Sequence, residues 1–308
     1  MAEPDFSFKG EGEADGGRNE KQAQYKRDAY EPRWTEEMKG TFVPDLRRIE
    51  LVDEIRGMCV LAMVAYHSFF ILGSQFGVEW GTRLYEFFRP AQPAFAAMFI
   101  LIAGFCARLS RDVRKRGFLL AAIAVGITLV SVLLLPYLGF GEMQVWFGII
   151  HLLAASTLLF ALGRKLFDKI PTLMGVLLCL ALFFVTAPVS QGYLGMLGFR
   201  VELPEALYRT NALAFLGFHT PAFEAFDHFP LLPYFFIFLF GTFMGKLARN
   251  EKKQGQVRKE NLPEFCYKKH MLFFGFLGRR ALLAYLLHVP VFYGLGYFLQ
   301  LLFNIGKP

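Results

Sequence analysis

The run RIELVDEIRGMCVLAMVAYHSFF, residues 48–70, sets the reading of the whole chain. Its first part carries Arg48, Glu50, Asp53, Glu54 and Arg56, and from Gly57 onward it is apolar except for Tyr66, His67 and Ser68. Such a step from polar to apolar reads as a helix passing from water into a bilayer. Eleven residues at about 100° each bring Arg56 and His67 within roughly 20° on one helical face, and Asp53 falls about 40° from His67. At about 1.5 Å per residue, His67 lies roughly 16 Å deeper than Arg56, near the middle of a hydrocarbon layer about 30 Å thick. A cation at the rim thus shares one stripe with an imidazole at mid-depth.

Outward from this helix the chain keeps the same character. Of 308 residues 55% are hydrophobic and 19% charged, with 36 Phe and a mean hydropathy of +0.37. This composition disfavours a soluble enzyme core, a disordered chain and a disulfide scaffold. Apolar windows predict spans at 57–73, 84–107, 117–138, 145–163, 170–188, 229–248 and 280–303. The fold class expected is all-α, a polytopic membrane bundle of about seven helices. Lys and Arg then fall on alternate connections: 28 of the 33 lie in the stretches to Arg56, 108–116, 164–169 and 246–280. The side with that excess should be the cytoplasm. The N-terminus is therefore expected in the cytosol and the C-terminus outside the cell membrane. The net charge of +7 is topological on this reading and requires no nucleic acid.

Residues 1–46, rich in Gly, Glu, Lys and Arg, lack the pattern of a secretory signal and read as a cytosolic, partly disordered tail. Residues 47–308 form the expected membrane domain. Cys59, Cys106, Cys179 and Cys266 are far apart without CxxC spacing, so neither disulfides nor a metal site are expected. The 189–228 segment carries Glu202, Glu205, Glu224 and Asp227 and is placed to cover a site from outside. The 249–270 segment, with Lys252, Lys253, Arg258, Lys259, Lys268 and Lys269, either meets anionic lipid or holds a phosphate-bearing cosubstrate.

Ionisable groups within spans are costly and face the protein interior. Three histidines qualify, His67, His151 and His288, whereas His219, His228 and His270 belong to loops or interfaces. Each of the three could be a catalyst or a hydrogen-bonded packing residue. Arg56 could anchor a phosphate or pair with Asp53 at i,i+3. Arg89, between Glu86 and Pro90, could orient an acceptor or extend to the headgroups. Asp227 and His228 precede Pro230 and Pro233, where an interfacial turn competes with a site. No nucleotide-binding or hydrolase fingerprint is present.

Five stretches, in order, resemble the transmembrane acyltransferase superfamily: RIELVDEIRGMCVLAMVAYH, PAFAAMFILIAGF, WFGIIHLLAAS, DHFPLLPYFFIFLFGTFMG and GRRALLAYLLHVPV. The branch they most resemble is that of the bacterial proteins carrying the heparan-alpha-glucosaminide N-acetyltransferase catalytic domain. The resemblance implies transfer of an acyl group, usually acetyl, from cytosolic acyl-CoA to a hydroxyl or amine presented outside, with no cofactor retained. It implies His67 as base, supported by Arg56 and Asp53, with Arg56 and the basic loops holding the CoA phosphates. Arg89, His151, His288 and Asp227 are then candidates for binding substrate, and the first three, or backbone N–H groups near the prolines, for steadying the oxyanion. The acceptor implied is a cell-surface glycan or a small molecule. The lysosomal branch uses a histidine in the loop after the first helix, and the loop 74–83 here has none. The assignment to His67 follows the O-acetylating bacterial branch instead. Longer members have ten or more spans, which leaves a homo-oligomer as one source of further substrate-binding helices. The competing reading is a small-solute or proton-coupled transporter, and a third is a non-catalytic scaffold whose histidines only join helices.

Overall fold

A computed structural model describes residues 47–138, 144–196, 198–223, 225, 227–248 and 262–303. The expected tail 1–46 and the side chains of Glu224, Lys252, Lys253, Arg258 and Lys259 lie outside them. Among the described residues seven helices are long and apolar enough to cross a membrane. They form an all-α polytopic bundle, and each predicted span falls on one of them.

The first span is α1, Glu50–Phe70, lengthened by a π-helical turn over Ile71–Gln75. It starts ahead of the apolar window because its polar first turns are paired rather than exposed. Asp53 takes hydrogen bonds from Arg48 and, at 3.0 Å, from Arg56. The hydrogen bond to Asp53 raises the Arg48 guanidinium above its ordinary value. The second span is broken: α2, Glu79–Phe88, passes through a 3-10 turn at Arg89–Ala91 into α3, Gln92–Leu109. Pro90 and Pro93 stand where a missing N–H costs least, at the start of a new helical segment. The third span is α4, Val113–Leu129, ending in a π turn over Val130–Leu134. Asp112 caps it by accepting the Lys115 N–H at 3.0 Å, which holds its carboxyl below the usual range.

The fourth span, α5 Ile149–Lys169, begins four residues later than its apolar window. Val145, Trp146 and Phe147 are a non-helical lead-in, and the helix runs on through Arg164 and Lys165, whose long side chains tolerate the boundary. The fifth is α6, Thr172–Thr186, the sixth α7, Leu231–Ala248, and the last α9, Ala281–Phe303, preceded by the short α8, Leu272–Arg279. Between α6 and α7, among the described residues, lie a hairpin of β1, Tyr193–Met196, and β2, Phe199–Glu202, and three 3-10 turns. Tyr193 pairs with Glu202 and Met196 with Phe199, and Gly198 supplies the positive φ of 89° in the turn.

α7 is the hub, packing on α3, α5 and α6, while α1 packs on α8, α3 and α9, and α4 on α5. Glycines allow the two closest of these contacts. A Cβ at Gly104 would overlap the Phe238 carbonyl and one at Gly241 that of Leu101, so α3 and α7 meet backbone to backbone. Gly57 and Gly278 play the same part between α1 and α8. Phe160, Phe238, Ile100, Ile149 and Leu152 fill the centre. Leu162, Leu173 and Leu301 are 83%, 72% and 84% exposed, as side chains bordering lipid are.

Candidate active site

The motif at the start of α1 is satisfied within the protein. Arg56 donates to Asp53, to the Gly278 carbonyl at 3.4 Å and to the Cys106 sulfur. Of the two readings of Arg56, the structure has the pairing with Asp53. Glu54, which the sequence reading passed over, is 1% exposed and accepts the N–H groups of His270 and Met271 at 2.7 and 2.9 Å. It is the cap of α8, attached across more than 200 residues of sequence. Arg47 meets Glu264 at 2.9 Å and Arg279 meets Glu50 at 3.2 Å. Arg108 pairs with Asp168, and Lys246 donates to the carbonyls of Asp168 and Ile170. These contacts gather at one end of the bundle.

Deeper in, His67 meets His288 of α9, with Nδ1 of the first 3.1 Å from Nε2 of the second. Their ring centroids are 5.1 Å apart and the planes differ by 26°. Rings so related meet edge to edge, as an in-plane N–H···N bond requires. The direction of that bond follows from one further contact. His288 Nδ1 lies against the Tyr285 carbonyl, which can only accept, so Nδ1 carries the hydrogen. A neutral His288 then has its lone pair on Nε2 and accepts from His67 Nδ1–H, which leaves the His67 lone pair on Nε2.

Tyr285 also donates its hydroxyl to Asp227 Oδ2 at 2.6 Å, and the same oxygen accepts the Ile149 N–H at 3.1 Å. Asp227 is 5% exposed, and burial pushes its carboxyl up while these two donors and the nearby histidines oppose the shift. Its carboxylate sits at the first turn of α5, where the helix dipole favours a negative charge. A Cβ at Gly148 would overlap Asp227 Oδ2, so only glycine admits the carboxylate to this position. One acid thus ties together the lead-in to α7, the start of α5 and the middle of the last span.

His151 is engaged on both nitrogens. Nδ1 accepts the Gly148 N–H at 3.3 Å, so Nε2 carries the hydrogen and donates to Thr128 Oγ1 at 2.9 Å, which donates in turn to the Val145 carbonyl. It joins α4 to α5. Arg89 lies on the exposed surface, 3.3 Å from Glu86. His67, His288, Asp227 and Tyr285 instead line one cavity of about 680 Å³, together with Ser131 and apolar side chains of α4 and α9. Among the described residues of the 189–228 segment, only Asp227 reaches its wall. Tyr285 stands in the closing stretch GRRALLAYLLHVPV that carries the resemblance, three residues before His288, but it was not among the candidate site residues.

No curated protein and no solved structure matches the chain. A protein family does, under the description heparan-alpha-glucosaminide N-acetyltransferase, catalytic, and over residues 48–290. That range runs from the Arg48 contact with Asp53 to just past His288, and so takes in the paired histidines, Asp227 and the helices that hold them. By this match over most of its length, this multi-pass membrane chain belongs to the heparan-alpha-glucosaminide N-acetyltransferase catalytic-domain family, a family of membrane acetyltransferases.

Proposed function

We propose that the protein transfers an acyl group, in the first instance acetyl, from cytosolic acyl-CoA to a hydroxyl or amine on the far side of the cell membrane. His67 is the general base. The observation that carries this reading is the His67–His288 contact at the polar end of the cavity, which places the His67 lone pair on Nε2. In the reaction the acceptor oxygen or nitrogen attacks the thioester carbonyl, and its proton passes to His67 Nε2. As His67 becomes an imidazolium, its Nδ1–H bond to His288 becomes charge-assisted and strengthens. Collapse of the tetrahedral state breaks the C–S bond, and the proton returns to the departing sulfur to give CoA thiol. An ester or amide has then formed on the acceptor.

Arg56, with Asp53 holding it, is proposed to meet the CoA phosphates at the basic end, which is taken as the cytosolic side. The 1–46 tail and the basic 249–270 loop would share that side. Asp227 and His288 are proposed to contact substrate from the cavity wall. Arg89 and His151 would do so only after leaving their present partners. The test is calorimetric binding of acetyl-CoA to the full chain in detergent. Saturable binding that is lost in Arg56→Ala and kept in His67→Ala, together with loss of turnover in the latter, is the expected result. A folded wild type that binds neither acetyl-CoA nor longer acyl-CoAs would overturn the reading and favour a transporter.

A further inference from the structure

The cavity beside the histidine pair is a cleft between α4 and α9. α4 packs on α5 and α9 on α1, and the cleft separates the faces they turn toward each other. Ile123, Ile127 and Val130 form one wall, and Val289 and Tyr293 the other. Their neighbours Val125, Leu129, Val291 and Leu295 are about half exposed in mid-span, so the mouth opens sideways, toward lipid rather than water. His67, His288, Tyr285 and Asp227 are joined to one another at one end of the cleft, the hydroxyls of Ser131, Tyr293 and Tyr297 also line it, and among the described residues Asp227 is the only carboxylate or cation on the wall.

We propose that the acceptor in this cleft is a membrane amphiphile, a long-chain alcohol or amine, with its hydrocarbon chain between α4 and α9 and its head at His67 and Asp227. This rests on the acetyltransferase reading and names the substrate class for it. A water-borne sugar has more hydroxyls than the Ser131, Tyr293 and Tyr297 hydroxyls could pair along walls otherwise of isoleucine, valine and leucine, at about 1–3 kcal/mol for each left unpaired. A long alkyl chain meets no such cost, and a single hydroxyl or amine finds its partners at the histidine end. The Asp227 carboxylate, fixed by Tyr285 and the Ile149 N–H, repels a phosphate head and accepts from a neutral or cationic one. Membrane depth, wall chemistry and the sign of the one charge all point to the same occupant.

Two glycines make the idea testable without disturbing the fold. A Cβ at Gly126 of α4 or at Gly294 of α9 would have no heavy atom within 4 Å, and Gly294 lines the cleft opposite Gly126. Leucine at both positions should fill the cleft, whereas alanine should leave it open. The full chain in lipid nanodiscs is irradiated with a diazirine-bearing hexadecanol, and labelled residues are mapped by mass spectrometry. Transfer from acetyl-CoA to hexadecylamine and to glucosamine is measured in parallel. The expected result is labelling confined to residues 123–130 and 289–297, falling about tenfold in Gly126→Leu/Gly294→Leu and little in Gly126→Ala/Gly294→Ala, with hexadecylamine acetylation falling alike. Labelling spread evenly over the lipid-facing helices would overturn the proposal. Acetylation of glucosamine alone, unchanged in the leucine variant, would also overturn it while leaving the acetyltransferase reading in place. Loss of palmitoyl-CoA binding in the leucine variant, with hexadecylamine transfer intact, would reassign the cleft to the donor chain and overturn it too. Specific labelling without transfer to any acceptor would remove the acetyltransferase reading and the acceptor role together.

Discussion

Alanine at Gly57 and at Gly278 tests the geometry that brings the histidines together. A Cβ at Gly57 would overlap the Phe274 carbonyl oxygen and lie 2.8 Å from its carbon, and one at Gly278 would overlap the Asp53 carbonyl oxygen and lie 2.7 Å from that carbon. Neither obstacle is a side chain that can turn away. To restore van der Waals contact, α1 and α8 must part by roughly 1.5 Å. That movement stretches the bonds from Glu54 to the His270 and Met271 N–H groups, 2.7 and 2.9 Å long, out of hydrogen-bonding range. Overpacking of about 1–3 kcal/mol with the weakened charged hydrogen bonds makes each single change cost about 3 kcal/mol. The two glycines face the same gap, however, so one separation relieves both. The double variant should therefore cost about 3–4 kcal/mol, well short of twice a single. Steady-state unfolding in mixed detergent and SDS, followed by far-UV circular dichroism, measures all three. The same displacement opens the 3.1 Å contact between His67 and His288, so turnover should fall in each variant together with stability. Strict additivity, or single costs under about 0.5 kcal/mol, would refute the argument.

Three other outcomes follow from the site. Tyr285→Phe removes one of the two donors to Asp227 Oδ2 and should cost about 1.5–3 kcal/mol, and the loss should largely vanish in an Asp227→Ala background when a double-mutant cycle is measured. Gly148→Ala drives a methyl group into the same carboxylate, so it should destabilise the wild type by about 1–3 kcal/mol and the Asp227→Ala protein by less. His228, just ahead of the sixth span, is pushed down to about 4 by burial, with the neighbouring His219 acting in the same direction. Above the unfolded value near 6.5 it is neutral in both states, whereas between 6.5 and 4 only the unfolded chain takes up the proton, so stability is lost as pH falls through that window. His228→Phe should flatten the fall in thermal midpoint between pH 7 and pH 5, and an unchanged slope would count against the assignment.

The membrane helices were legible because length and hydropathy alone set a span, and the charge bias marked alternate connections. Boundaries failed where polar residues are paired inside the bundle. Glu50, Asp53 and Arg56 look like an entry to water in the sequence, yet Asp53 pairs with Arg56 within α1 and Glu50 with Arg279 of α8. Val145 to Phe147 look like the head of a span, yet the helix waits for Asp227 at Ile149. Helical periodicity placed Asp53, Arg56 and His67 on one stripe, and the first two do pair. That His67 should meet His288 needed the parallel packing of the first and last spans, which no local pattern records. Asp227 was visible as a costly acid and Tyr285 as part of the closing motif, but their contact joins residues 58 apart in sequence, beyond the reach of any local pattern. Gly57 and Gly278 were parts of motifs, and their reason is a contact between two backbones.

The Glu54 cap has a bearing on how the protein is made. Glu54 emerges from the ribosome about 216 residues before the amide it holds. At about 5–20 residues per second, that interval is roughly ten to forty seconds. During it, the first helix must reside in the membrane with Glu54 buried among partial neighbours and His67 without His288. Arg56 and Asp53 lie three residues apart and can neutralise one another at once, whereas Glu54 must wait for His270 and Met271. Arrival of the segment that leads into the last span is thus a checkpoint for the first, and chains truncated before His270 should be caught by membrane quality control even when six spans have been inserted.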